Sequence, residues 1–104
     1  MDGFFDIGKI DEVIHGRVRL GVMAFLTATE IADFNTLKDR LSVTEGTLSV
    51  HLRKLEEAGH IRIIKGFRGR RPLTQAKLTP KGRRAFAKYL DAMAELVDLR
   101  GQGL

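Results

Sequence analysis

Thr44-Glu45-Gly46-Thr47-Leu48-Ser49-Val50-His51-Leu52-Arg53-Lys54-Leu55-Glu56-Glu57-Ala58-Gly59-His60-Ile61-Arg62-Ile63-Ile64-Lys65 changes its period partway along. Up to Gly59 the apolar residues Leu48, Leu52 and Leu55 recur at intervals of four and three, the spacing of one face of an α-helix. Thr44 stands where an N-cap is needed, and Gly59 suits the left-handed position just past a helix end. From His60 to Lys65 the period is close to two and β-branched residues sit at the centre, which reads as a strand. A short capped helix passing directly into a strand is the pivot of the chain.

Upstream, Asn35–Leu41 reads as a second short helix with Asn35 as its cap and Phe34, Leu37 and Leu41 as its buried stripe. Ser42-Val43 is the turn into the third helix, and Ala32-Asp33-Phe34 has the length of a very short strand. Residues 10–28 repeat Ile10, Val13, Ile14, Val18, Val22, Phe25 and Leu26 at helical spacing, interrupted by Gly16 and Gly21, where another backbone has room to approach. Downstream, Gly66-Phe67-Arg68-Gly69-Arg70-Arg71-Pro72 carries two glycines and a proline and is expected to be a loop. Thr74–Leu78 is a second strand, and Thr79-Pro80 opens the last helix, residues 80–99, with Thr79 as cap and Pro80 at the first helical position. The order is α-(β)-α-α-β-β-α: a mainly α fold with a β-hairpin wing (α+β), the winged helix-turn-helix. One domain then covers residues 1–104, with 35–59 as the helix-turn-helix and 60–79 as the wing.

The 104 residues suit one domain, and the 43% hydrophobic and 30% charged content is that of a soluble globular chain. With no cysteine there is no disulfide framework, thiolate metal site, thiol nucleophile or thiol redox sensor. The longest apolar run, Val22–Leu26, is far below the roughly 20 residues of a membrane span. The acidic Met1–Asp6 stretch does not read as a targeting peptide. A cytoplasmic protein without a membrane partner is expected.

The net charge of +5 is unevenly spread. Residues 44–84 carry +8, whereas the first 43 carry −2 and the last 20 carry −1. At 100° per residue, Leu48, Leu52, Leu55 and Gly59 share one side of the third helix. Gly46, Thr47, Val50, Arg53 and Lys54 gather opposite them, with Ser49 at the edge. Small and hydroxyl groups near the N-terminus with cations one to two turns later suit a helix whose first turns enter a major groove. An ordinary solvated helix face has similar residues. The hairpin tip is more specific: Lys65, Arg68, Arg70 and Arg71 crowd seven residues beside Gly66 and Gly69. Such a loop reaches phosphates or a narrow minor groove, although a mobile solvated loop also carries cations. Basic helix face and basic hairpin together point to nucleic acid, with double-stranded DNA the leading expectation and a structure-selective binder of RNA or unusual duplexes a weaker one. His15, His51 and His60 have no metal-ligand spacing, and no serine, histidine and aspartate fall into a nucleophile pattern. Catalysis, a cofactor and a metal are not expected. His51 borders the core face and fits a satisfied interfacial side chain, or second, a phosphate contact.

The first and last helices (10–28 and 80–99) carry more apolar surface than one small core consumes. Phe4, Phe5, Phe86, Tyr89, Leu90, Met93, Leu96 and Val97 are the candidates for a homodimer interface, which would set two reading helices about one DNA turn apart. Packing of these helices on the chain's own core is the alternative.

The segment Thr44–Ile61 resembles the reading helix of the winged-helix transcriptional regulators of the MarR/ArsR-like superfamily, and is most similar to their small stand-alone branch. Ile14-His15 with Arg19-Leu20, Phe34-Asn35-Thr36-Leu37-Lys38 and Leu78-Thr79-Pro80-Lys81-Gly82-Arg83 extend the resemblance over roughly residues 4–95. It implies a homodimeric bacterial or archaeal DNA-binding regulator, with the first and last helices at the dimer interface. By position, Thr44, Thr47, Ser49, Val50, Arg53 and Lys54 would face the major groove or its phosphates, and Arg68, Arg70 and Arg71 would form the wing. The cysteine-bearing sites of ArsR-type metal sensors have no counterpart here. Many MarR-type proteins bind small aromatic effectors, but no residue here identifies one. A repressor that occludes a promoter is the leading expectation, and a protein–protein adaptor with weak nucleic-acid binding is its rival.

Overall fold

The structure is a computed structural model that describes residues 5–101; Phe4 lies outside them. A 3-10 turn (Ile7–Lys9) leads into α1 (Arg17–Thr29), β1 (Ile31–Asp33), α2 (Phe34–Leu41), α3 (Glu45–Glu57), β2 (Ile61–Arg68), β3 (Arg71–Leu78) and α4 (Pro80–Gly101). The three strands form one antiparallel sheet in the order β1-β3-β2. Leu26, Leu37, Leu48, Leu52, Leu55, Ile61 and Leu78 meet beneath α2 and α3 and exclude water from the sheet's inner face. Among the described residues no helix is long and apolar enough to cross a membrane.

The expected first helix is shorter at its start. Ile10 and Ile14 are buried as the spacing implied, but they are held by turns and not by a helix. The Asp11 carboxylate accepts from the Val13 and Ile14 amides at 2.8 and 3.1 Å, which diverts the donors a helix needs. Gly16 then continues as extended backbone (φ 174°), and α1 starts only at Arg17. At Gly21 the close neighbour is the Leu41 side chain, where an added β-carbon would lie 2.9 Å from Cδ2. The nearest atoms at that position thus belong to a side chain and not to a second backbone.

α2 begins one residue early. Asp33, not Asn35, is its N-cap, and it makes no side-chain cap bond because its carboxylate is engaged elsewhere. β1 is correspondingly Ile31–Asp33 and not 32–34. Ser42 takes a left-handed conformation (φ 54°) and makes the tight turn into α3. Thr44 caps α3 as expected, accepting from the Thr47 amide at 3.2 Å. At its other end Gly59 has φ 81°, with Gly59 N–H donating to Glu56 O and His60 N–H to Leu55 O, the paired bonds of a Schellman closure.

The wing differs most from expectation. The anticipated loop 66–72 is strand, paired continuously to Arg68↔Arg71, and only Gly69-Arg70 is left as the turn. Positive φ at Gly69 alone matches a two-residue type II′ turn. Pro72 is tolerated because β1 covers only Gln75–Lys77 of β3, so at Pro72 the outer edge has no ladder bond to lose.

Thr79 ties the last helix to this framework. Its hydroxyl donates to the Gly59 carbonyl at 2.6 Å and accepts from the Gly82 amide at 2.9 Å, while its own amide donates to His60 O at 3.1 Å. A β-carbon on Gly82 would lie 2.0 Å from His60 O. Gly82→Ala must therefore push α4 off the α3–β2 junction, at a cost of at least about 3 kcal/mol, the upper end of overpacking. Urea unfolding should show a lower midpoint with an unchanged slope; a midpoint near that of the parent would contradict this packing.

Candidate nucleic-acid interface

Every residue picked from the third helix and the hairpin as a DNA contact is exposed: Thr44, Thr47, Ser49, Val50, Arg53, Lys54, Lys65, Arg68, Arg70 and Arg71. Leu48, Leu52 and Leu55 bury the opposite side of α3, so the helix has one orientation and one free face. Small groups occupy its first two turns. Thr47 is exposed, and its hydroxyl accepts from that of Thr44 at 2.9 Å. A β-carbon built on Gly46 would meet no atom within 4 Å, and its φ is not positive. Neither packing nor backbone shape asks for glycine there, although glycine weakens a helix by about 0.5–1 kcal/mol relative to alanine.

A groove of about 630 Å³ runs between α3 and the inner face of the wing, lined by Ser49, Arg53, Lys65 and Thr74 among others. Glu45 and Glu56 also line it, and Glu56 is partly committed because its carboxylate accepts from the Ile63 amide at 3.2 Å. Among the described residues Arg53, Lys54, Lys65, Arg70 and Arg71 have no ion-pair partner. Arg68 differs: its guanidinium lies 3.3 Å from Asp33, whose other carboxylate oxygen accepts from Gln75 at 3.1 Å. That contact braces the wing against β1 and engages one of the four cations.

Two residues were given no functional role in the sequence reading. Arg19, on α1, donates to the Val13 carbonyl through Nε and to His51 Nδ1 through Nη1 at 2.8 Å. A guanidinium only donates, so His51 Nδ1 is the acceptor and its proton sits on Nε2. Burial first, then the positive charges of Arg19 and Lys54, hold the His51 pKa below the ordinary 6.5. His51 is thus the satisfied interfacial side chain anticipated for it. The second residue is Phe67, 73% exposed on the wing. The long-range pairing of Arg19 has no local sequence signature, and Phe67 was hidden by reading its segment as loop.

At the far end of the molecule the apolar residues divide. Phe86 and Tyr89 belong to the chain's own core, and the Tyr89 hydroxyl bonds His15 Nδ1 at 2.8 Å. Phe5 packs partly against the same core. Leu90 and Val97 are exposed, Met93 and Leu96 half-buried. A cleft of about 650 Å³ separates α4 from the N-terminal segment, between Ile7, Ile10, Val13, Met93 and Leu96.

A family model described as a winged helix DNA-binding domain matches residues 18–97. An uncharacterized protein of Methanocaldococcus jannaschii is 38% identical over 85 residues, covering 82% of this chain and 92% of the relative. Among solved structures, a transcriptional regulator homologue from Pyrococcus horikoshii superposes with a TM-score of 0.82 at 30% identity, covering 90% of this chain and 91% of the other. A MarR-family transcriptional regulator from Silicibacter pomeroyi gives 0.64 at 25% identity, over 88% of this chain and 61% of that one.

His51 supplies a check on the geometry. Its lowered folded pKa means that protonation favours unfolding, so its contribution to stability is present above 6.5 and is lost as pH falls through the folded value. The ring C–H resonances of His51 should titrate below 6.5, and Arg19→Met should raise that midpoint part of the way. A midpoint unmoved by Arg19→Met would contradict the pairing.

Proposed function

Since this chain belongs to the winged helix DNA-binding domain family, we propose that it is a homodimeric transcriptional regulator that binds double-stranded DNA sequence-specifically and represses by occluding a promoter. The observation that carries this reading is the free face of α3: Thr47, Val50, Arg53 and Lys54 stand exposed around a glycine that the fold itself does not require. Its first turns bring hydroxyls and a bare backbone to base edges, and its later cations meet phosphates. Lys65, Arg70 and Arg71 of the wing clamp flanking phosphates or enter the adjacent minor groove. The winged-helix regulator fold is that of a binding protein and not of an enzyme.

The dimer is proposed from the opposite end. α4 has 22 residues, about 33 Å of helix, and carries Leu90 and Val97 into water beside the cleft lined by Met93 and Leu96. Joining two copies through α4 and the N-terminal segment covers these residues, and it sets two α3 helices for half-sites about 34–36 Å apart. The same cleft is the place for a small-molecule effector, if the regulator takes one. Action in the cytoplasm follows from this role.

Binding to fragments of the protein's own upstream region, with an unrelated duplex as competitor, tests the proposal. Tight binding to a two-fold-symmetric site is expected, falling ~10³–10⁵-fold between about 50 and 200 mM salt for 6–10 neutralised phosphates. Arg70→Ala with Arg71→Ala should weaken all sequences alike and flatten the salt slope, whereas Thr47→Ala or Val50→Ala should change which sequence is preferred. Gly46→Ala should raise stability by about 0.5–1 kcal/mol and still weaken DNA binding. Weak binding that the competitor abolishes would favour a protein–protein adaptor instead.

A further inference from the structure

Strand alternation puts Phe67 on the same face of β2 as Ile61, Ile63 and Lys65, the face that packs on α3. Ile61 is buried and Ile63 half-buried, but the core ends there, and Phe67 stands roughly 13 Å farther along the strand. Its cross-strand partner is Pro72, also exposed. Arg68 and Arg71 flank the turn, so Phe67 and Pro72 form the next, non-hydrogen-bonded pair, in which side chains lie closest. The wing therefore ends in a small apolar knob with Lys65 on its own face, Arg70 in the adjoining turn, and Arg68 and Arg71 on the opposite face of the hairpin. A β-carbon on neighbouring Gly66 would meet no atom within 4 Å, and its φ is not positive, so the backbone beside the knob is bare without internal cause.

A partner for this tip must be a polyanion at its rim and apolar within. An apolar protein surface gives the cations nothing to meet, and a simple phosphate clamp gives the phenyl ring nothing; an anionic bilayer offers both, but it leaves the free face of α3 beside the tip without a partner. The minor groove of a duplex has both: phosphate rails spaced for the arginines, and sugar walls and base edges between them. The tip is also held in advance. A two-residue turn has no slack, and Asp33 braces the wing through Arg68 and Gln75.

We infer that Phe67 is an apolar wedge that the wing inserts into the minor groove of the bound duplex, parting a base step next to the sequence α3 reads. The inference rests on the DNA-binding reading above and adds a source of specificity that needs no base hydrogen bond. Pyrimidine–purine steps are the cheapest to part, so the protein selects such a step under each wing.

Phe67→Ala and Phe67→Leu are compared with the parent on its upstream site, with affinity measured against salt and bending by circular permutation. Phe67 is exposed, so both variants should fold as the parent does. Phe67→Ala should bind about tenfold more weakly with an unchanged salt slope and a smaller bend, and Phe67→Leu should keep most of the bend. Replacing the flanking pyrimidine–purine step by a stiff A-tract should weaken the parent but not Phe67→Ala. Parent-like affinity and bending in Phe67→Ala would overturn the inference. So would loss of self-association in that variant with bending unchanged, which would make a second copy the occupant. A parent that binds duplexes with no salt dependence would overturn the DNA-binding reading itself, and the wedge with it.

Discussion

Gly82 has room for a hydrogen atom toward His60 and nothing more, and the rest of the architecture depends on that approach. It brings the first turn of α4 onto the backbone that joins α3 to β2, where Thr79 serves the Gly59 carbonyl, the His60 carbonyl and the Gly82 amide together. The three elements leaving this junction have separate tasks: α3 presents its free face, the hairpin reaches past the core, and α4 runs away toward the opposite end. Because the contact is backbone against backbone, it has no rotamer through which to relax. The placement of α4 against α3 and the wing is therefore set by covalent geometry and hydrogen bonds, not by adjustable side chains.

This rigidity gives the free surface its meaning. An exposed lysine or arginine on a loose segment is solvated and recognises nothing in particular. The cations of α3 and the wing instead stand on one rigid backbone frame, with Arg53 and Lys65 lining the groove between the two elements, and the Asp33–Arg68 contact stiffens the hairpin at some expense to its free charge. Arg19 adds a link from the other side. By holding Val13 O and His51 Nδ1 together, it connects the N-terminal segment, next to the cleft beside α4, with the middle of α3. Acid that protonates His51 would set two cations face to face there and loosen that link.

Where signals are local, the sequence was legible. Thr44, Gly59 and Pro80 act within a few residues of themselves, as does Thr79 in capping α4 through the Gly82 amide, and all four do what their chemistry suggests; the bonds of Thr79 to the Gly59 and His60 carbonyls had no local signal. The leucines of α3 marked its buried side, and the residues opposite them are exposed. Illegible were features in which one polar group outcompeted another nearby, and features decided by partners far along the chain. Asp11 breaks the apparent helical run of Ile10, Val13 and Ile14 by taking two amides, although their burial was correctly implied by spacing. Asn35 lost its cap role because Asp33 precedes it. Pro72 and Gly66 looked like loop residues, but an unpaired strand edge accommodates the proline and open space surrounds the glycine. Phe86 and Tyr89 had equal apolar claims on core and interface, and only the fold shows that the core takes them.

In the proposed function the outer face of α3 and the hairpin tip form one surface for one duplex. The decisive experiment records backbone amide shifts while a duplex carrying the upstream site is added. Amides of residues 44–54 and 65–71 should move together and saturate at the same DNA concentration, while those of the exposed stretch of α4 around Leu90 and Val97 stay in place. Shifts centred on α4 and the N-terminal segment, or a wing that does not respond with α3, would contradict that single surface.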